Sequence, residues 1–332
     1  MTAYIAPLLA ALLALAPPSR SAPLPDDAPA AAQPAAVLAI PLADHHQHLF
    51  SPRIVALINS PAIKEVSAAD LIAKLDAAGI RQATVLSTAY MFGNPARNLA
   101  DEQALVRAEN DWTAGQAARY PDRLVAFCGV NPLRSYALQE LARCAAHPGL
   151  RRGVKLHFGN GDIQVDDAAQ LDALKTFFRA ANRYKMAIVV HARANFGKKR
   201  PYGAAQARVF IEQLLPQAPD VVVQVAHLGG TGPSFEDPPS QEAIAVFADA
   251  FERADPRMKN VWVDIASNAH SANSPDTTAL MVKRMRQIGF ARLLYGTDSP
   301  TQLGEAWEAF RRLPLTEAEF AWIARNRAPY LP

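Results

Sequence analysis

Asp44-His45-His46-Gln47-His48 ends an apolar run near the start of the chain. Side chains alternate faces along a strand, so Asp44, His46 and His48 share one side. Two imidazoles on one face are half of a metal site. After its first strand, an open doubly wound sheet normally carries a Gly-rich phosphate loop; that place is taken here by histidines. The doubly wound sheet is therefore the second choice.

Further along, three more apolar runs stop at a single polar residue. Met186 to Arg193 reads Met-Ala-Ile-Val-Val-His-Ala-Arg, Asp220 to Gly230 reads Asp-Val-Val-Val-Gln-Val-Ala-His-Leu-Gly-Gly, and Ala291 to Pro300 reads Ala-Arg-Leu-Leu-Tyr-Gly-Thr-Asp-Ser-Pro. Continuous apolar runs of this length suit parallel strands buried on both faces. Eight strand-like runs lie near residues 38–47, 80–87, 123–130, 151–157, 186–192, 220–227, 259–266 and 291–297. Amphipathic stretches separate them, including Ala68 to Ala78, Asn98 to Arg119, Ala168 to Tyr184, Ala204 to Leu215, Gln241 to Arg253 and Thr277 to Ile288. Strict alternation with eight strands predicts an α/β fold of the (β/α)8 TIM-barrel type, spanning residues 38–332. Thr316 to Arg327 reads as a closing helix. All strand C-termini of such a barrel open on one face, so His46, His48, His191, His227 and Asp298 are expected to converge.

The first 22 residues hold a short Leu/Ala-rich stretch followed by small residues, the pattern of a signal peptide for a periplasmic or secreted protein. Residues 23–37 are Pro/Ala-rich and read as a linker. A net charge of +3 with no Lys/Arg block gives no reason to expect nucleic acid or, once the signal is removed, a membrane as partner. A small-molecule substrate is the expected partner, and a homo-oligomer is compatible with the sequence. The two cysteines, Cys128 on a strand and Cys144 on the next helix, are expected to be free buried thiols; a disulfide would require close Cα atoms.

With its His46-Gln47-His48 pair, Lys155 in Gly153-Val154-Lys155-Leu156-His157, and His191, His227 and Asp298 in this order, the chain resembles the amidohydrolase superfamily. Within it the resemblance is to the amidohydrolase-related group that includes aminocarboxymuconate-semialdehyde decarboxylase, and it covers nearly all of residues 40–332. Imidazole and carboxylate suit Zn²⁺ and similar ions, and a catalytic site keeps a position open for water, whose pKa the ion lowers to about 7.

The expected divalent ion is Zn²⁺, one ion rather than two, held by His46, His48, His191 and Asp298, with His227 as base and Asp298 sharing the proton work. In a two-ion arrangement Lys155, carbamylated, and His227 become ligands. Lys155 has two other open roles, as a cation for the substrate or as a structural ion-pair partner. His157 shares the inward face of its strand and is a candidate either for supporting a ligand from behind or for substrate contact.

Arg193, two residues after His191, is a candidate for gripping a substrate carboxylate, or else a rim arginine paired to an acid. Asp44 is expected to hold an imidazole from behind, and His45 to face the outer helices. The function expected is a hydrolase in which a metal-activated water attacks an amide, ester or lactone. A decarboxylase or hydratase of a small carboxylic acid on the same scaffold is the alternative, and a non-catalytic periplasmic metal-binding protein is the rival from another class.

Overall fold

The computed structural model describes residues 39–232, 235–299 and 303–332; the expected signal peptide and linker lie outside them. Eight strands follow one another as β1 (Ala43–Gln47), β2 (Gln82–Leu86), β3 (Leu124–Gly129), β4 (Gly153–His157), β5 (Ala187–His191), β6 (Val223–Val225), β7 (Val261–Asp264) and β8 (Leu293–Leu294). Neighbours in sequence are neighbours in the sheet, all parallel. Beyond β8 the backbone turns to β1: His45 N donates to Tyr295 O at 2.9 Å and Asp298 N to His46 O at 2.7 Å. The result is the expected (β/α)8 barrel.

The helices are α1 (Pro52–Ile58), α2 (Ala68–Ala78), α3 (Glu102–Ala118), α4 (Ala137–Ala146), α5 (Phe158–Gly161), α6 (Ala168–Arg183), α7 (Ala204–Val209), α8 (Pro238–Glu252), α9 (Pro275–Ile288), α10 (Leu303–Arg311) and α11 (Glu317–Arg325). Local chemistry sets their ends. Ser67 and Asp70 form a capping box on α2, and Thr316 and Glu319 form one on α11. On α2, Leu71 and Leu75 lie four residues apart, so both face the sheet, and burying each contributes about 1.5–3 kcal/mol.

Alternation along the strands sorts residues into two cores. On β3, Leu124, Ala126 and Cys128 join the layer between sheet and helices, while Val125 and Phe127 point into the barrel. Phe127 fills the interior so closely that a Cβ on Gly153 would lie 2.1 Å from its ring. The C-terminal segment plugs the same end: Tyr330 meets Phe127 edge-on at 4.9 Å, and its hydroxyl donates to Gln224 Oε1 at 2.5 Å.

This plug corrects the expectation for His45. Its ring is turned to the C-terminal segment, with Nε2 accepting from Ala328 N at 3.2 Å and Nδ1 bonded to Tyr295 O at 3.0 Å, rather than to the helix layer. The strand register shifts between Asp44 and Gln47, and this irregularity breaks simple alternation. With both ring nitrogens engaged by backbone, His45 is no ligand.

The cysteine expectation is also overturned. Cys128 on β3 and Cys144 on α4 form a disulfide, their Cα atoms 6.1 Å apart and within bridging reach. It ties a barrel strand to the helix that follows. Closing a loop of 16 residues stabilises the fold by about 3 kcal/mol. Reduction is expected to lower the thermal midpoint by several degrees, and the unreduced, denatured protein to titrate no free thiol; a full complement of thiols would refute the bond.

Candidate active site

At the C-terminal ends of the strands, three imidazoles surround the Asp298 carboxylate. Its Oδ1 lies 3.3 Å from His46 Nε2, 3.6 Å from His48 Nε2 and 4.0 Å from His227 Nε2. In each of these histidines the other ring nitrogen is anchored. His46 Nδ1 bonds Asp264 Oδ2 at 2.9 Å, His48 Nδ1 bonds Leu86 O at 2.6 Å, and His227 Nδ1 bonds Ala266 O at 2.9 Å. Carbonyl and carboxylate oxygens only accept, so Nδ1 carries the proton and Nε2 turns its lone pair to the shared space, where that of His46 also meets Lys155 Nζ.

Burial sets the charges. It pushes the His46 imidazole down to about 4, with Lys155 adding to the effect, and His48 down to about 3, so both rings are neutral donors near neutral pH. Burial alone would raise the Asp298 carboxyl, but His227, His46, His48 and Lys155 together hold it well below the usual carboxylate range. Lys155, fully buried, has its Nζ 3.1 Å from His46 Nε2, and burial pulls its ammonium down to about 8 against the pull of Asp264 and Asp298.

His191 stands slightly apart from this group. Its ring stacks on His157 at 3.8 Å between centroids and lies 5.2 Å from that of His227. Neither ring nitrogen hydrogen-bonds a described residue, and the ring lines the cavity above the cluster. An imidazole placed so, with no nitrogen engaged by protein, suits a metal ligand. Among the described residues, the ligand atoms of His46, His227 and Asp298 lie within 4.8 Å of one another, and with His48 and His191 beside them they make an imidazole and carboxylate donor set suited to a divalent metal.

Two backbone features place these groups. His227 follows β6 in the left-handed region at φ 55, ψ 39, which turns its ring inward. Gly296 lies against His46; a Cβ there would come within 2.9 Å of the His46 Cβ, so any larger residue would push β1 and the end of β8 apart.

Several sequence expectations change here. Asp44 holds no imidazole: its carboxylate accepts from His46 N at 3.0 Å, Gln47 Nε2 at 2.8 Å and Thr297 Oγ1 at 2.5 Å, and so sews β1 to the chain leaving β8. Burial raises that carboxyl to about 6 against the bonds from Thr297 and Gln47.

The residue behind His46 is Asp264, which the sequence reading missed. Burial opposes its ionisation, but His46 and His227 hold it well below the usual carboxylate range. It accepts from His46, from Gln224 Nε2 at 2.6 Å and from His227 N at 2.8 Å. Its signal was present: Val261-Trp262-Val263-Asp264 is another apolar run ending in an acid.

Arg193 does not line the cavity. Its Nε donates to Asp237 Oδ2 at 2.8 Å, and its guanidinium lies over Tyr202 and Phe196 at 5.1 and 5.5 Å. The bond to Asp237 fits the paired arginine of its two expected roles, while its Nη1 is buried and bonds no described residue.

Above the cluster is a cavity of about 300 Å³. Phe50, Ile58, Ile63 and Met91 give it an apolar side, and Lys155, His157 and Tyr90 are among its polar lining. Thr88 belongs to the same wall, and its hydroxyl donates to the buried Glu109 at 3.2 Å, a carboxyl that burial raises.

Fold and site together define a metal-binding (β/α)8 barrel with its centre at the strand C-termini. The sequence model of the amidohydrolase family matches residues 43–326, and the chain belongs to that family. No curated protein matches it. Among solved structures, a 2,6-dihydroxybenzoate decarboxylase bound to 2,6-dihydroxybenzoate superposes with a TM-score of 0.61 at 20% identity, over 86% of this chain and 96% of that one. A dihydroxybenzoic acid decarboxylase from Polaromonas sp. JS666, with manganese and 2-nitroresorcinol, gives 0.59 at 17% identity over 86% and 94%. A probable 2-pyrone-4,6-dicarboxylic acid hydrolase from Acinetobacter baumannii, with citric acid bound, gives 0.53 at 19% over 85% and 95%. Likeness at these identities establishes the shared fold.

Proposed function

We propose that the chain is a metal-dependent decarboxylase of a small, ring-bearing carboxylic acid, the alternative to the hydrolase expected first. The observation that carries this reading is the cavity. Its volume of about 300 Å³ is at the small end for ligand sites, which run from roughly 300 to 1,000 Å³. Its apolar side suits a ring and its histidine-rich floor suits an acid, while a hydrolase also needs space for a leaving group. The decarboxylases of similar fold, which bind dihydroxybenzoate or manganese, support the same choice.

In this reading His46, His48, His191 and Asp298 hold one divalent ion. Imidazole with carboxylate accepts either Zn²⁺ or Mn²⁺. Bound there, the ion would act as a Lewis acid toward substrate oxygens. His227 does the proton work: with its Nδ1–H held by Ala266 O, its Nε2 takes a proton from solvent before the acid fills the cavity and then delivers it to the ring carbon that carries the carboxylate, returning to the neutral ring. The carbon–carbon bond then breaks, its electron pair restores the ring, and CO₂ leaves. Phe50, Ile58, Ile63 and Met91 keep water from the carbon, and Lys155 supplies positive charge beneath it. The Cys128–Cys144 bond supports the exported location expected from the N-terminal segment.

The test is a panel of hydroxybenzoates, lactones, amides and esters offered to protein loaded with Zn²⁺ or Mn²⁺. Metal-dependent CO₂ release from an aromatic acid is expected. Acid release from a lactone or ester without CO₂ would return the hydrolase reading.

A further inference from the structure

His157 ends β4 and caps the short helix α5, where its Nδ1 accepts the amide N–H of Asn160 at 3.0 Å. An amide N–H can only donate, so Nδ1 carries the lone pair and the proton of the neutral ring is on Nε2. This is the opposite tautomer from His46, His48 and His227. Stacking on His191 and a tilted contact with Tyr90, 5.0 Å between centroids, fix its plane. Nε2 bonds no described residue and is not sealed off by protein, so it opens on the cavity that His157 lines.

We propose that the Nε2–H of His157 is the neutral donor that holds one carboxylate oxygen of the substrate. The proposal rests on the decarboxylase reading and names how that site grips its acid. Negative charge drains from the carboxylate as CO₂ forms, so a cation clamped on it would stabilise the bound acid more than the transition state. A neutral N–H orients the group at smaller cost. Of the two candidate cations, Lys155 lines the cavity but has its Nζ turned to His46 Nε2 at 3.1 Å, and Arg193 is held by Asp237 and does not line the cavity. The proton stays on His157 throughout; the proton added to carbon comes from His227.

The experiment uses metal-loaded protein with His157→Phe, which keeps the stacked ring and removes the donor, and His157→Gln, whose amide restores a donor at the far position. Calorimetry with benzoate and with phenol as probes is expected to show benzoate weakened about 10- to 100-fold in the Phe variant, the range for a hydrogen bond to a charged group, with phenol unchanged and benzoate partly recovered in the Gln variant. For any acid that is decarboxylated, KM should rise more than kcat falls. Nitrogen NMR of the wild-type imidazole should place the proton on Nε2. A proton on Nδ1, an equal loss for both probes, or unchanged benzoate binding would overturn the proposal. If benzoate binding depends on His157 but no acid loses CO₂, the decarboxylase reading falls and the carboxylate site stands; decarboxylation without that dependence removes this proposal alone.

Discussion

Replacing His227 with asparagine is expected to cut kcat by about 10²- to 10⁴-fold while metal content stays at the wild-type level, the usual scale for losing a general acid–base group. Asparagine is the apt replacement because position 227 sits at φ 55, a left-handed conformation that it tolerates better than most residues. The side-chain amide can still donate to Ala266 O, but it cannot carry a proton to carbon. Position matters here: His227 Nε2 is only 4.0 Å from Asp298 Oδ1, close enough for a ligand as well as a base. Metal analysis separates the two roles. About two equivalents in the wild type and one in the variant would make His227 a ligand of a second ion, with Lys155 bridging, and would sink the single-ion assignment.

The other large effect is expected at Asp264. Its carboxylate takes the Nδ1 proton of His46 while also accepting from Gln224 and the His227 amide, so it orients residues of β1 and β6 from β7. Asp264→Asn keeps the shape but removes the charge, and an amide nitrogen facing His46 Nδ1 would force the imidazole proton onto Nε2. That nitrogen could then no longer bind an ion. Metal affinity is expected to fall about 10- to 100-fold, the usual cost of disturbing a ligand's hydrogen-bond partner, and activity to fall with it. Circular dichroism should remain that of the folded barrel. Wild-type metal affinity in this variant would show that Asp264 does not set the tautomer of His46.

The barrel was legible because its signals are local. Each buried strand is a run of apolar residues, each run stops at one polar residue, and parallel strands bring those stops to one face. His46, His48, His227 and Asp298 follow from that rule, and Asp264 obeys it too, although the carboxyl was overlooked beside the more obvious histidines. His45 and Asp44 were misplaced because strict alternation was assumed through a stretch where the register shifts. Arg193 was placed on the right strand end, but its partner Asp237 lies 44 residues away, and no local pattern announces such a pairing.

The sequence by itself determined the eight β/α units, the donor types and the face on which they meet, because hydrophobic periodicity and strand direction are properties of neighbouring residues. Only the tertiary structure decided which nitrogen of each imidazole is free, that Cys128 reaches Cys144, and that Tyr330 closes the barrel from below. Those outcomes depend on hydrogen-bond partners and distances between segments far apart in the chain, and the folded backbone alone brings them within reach.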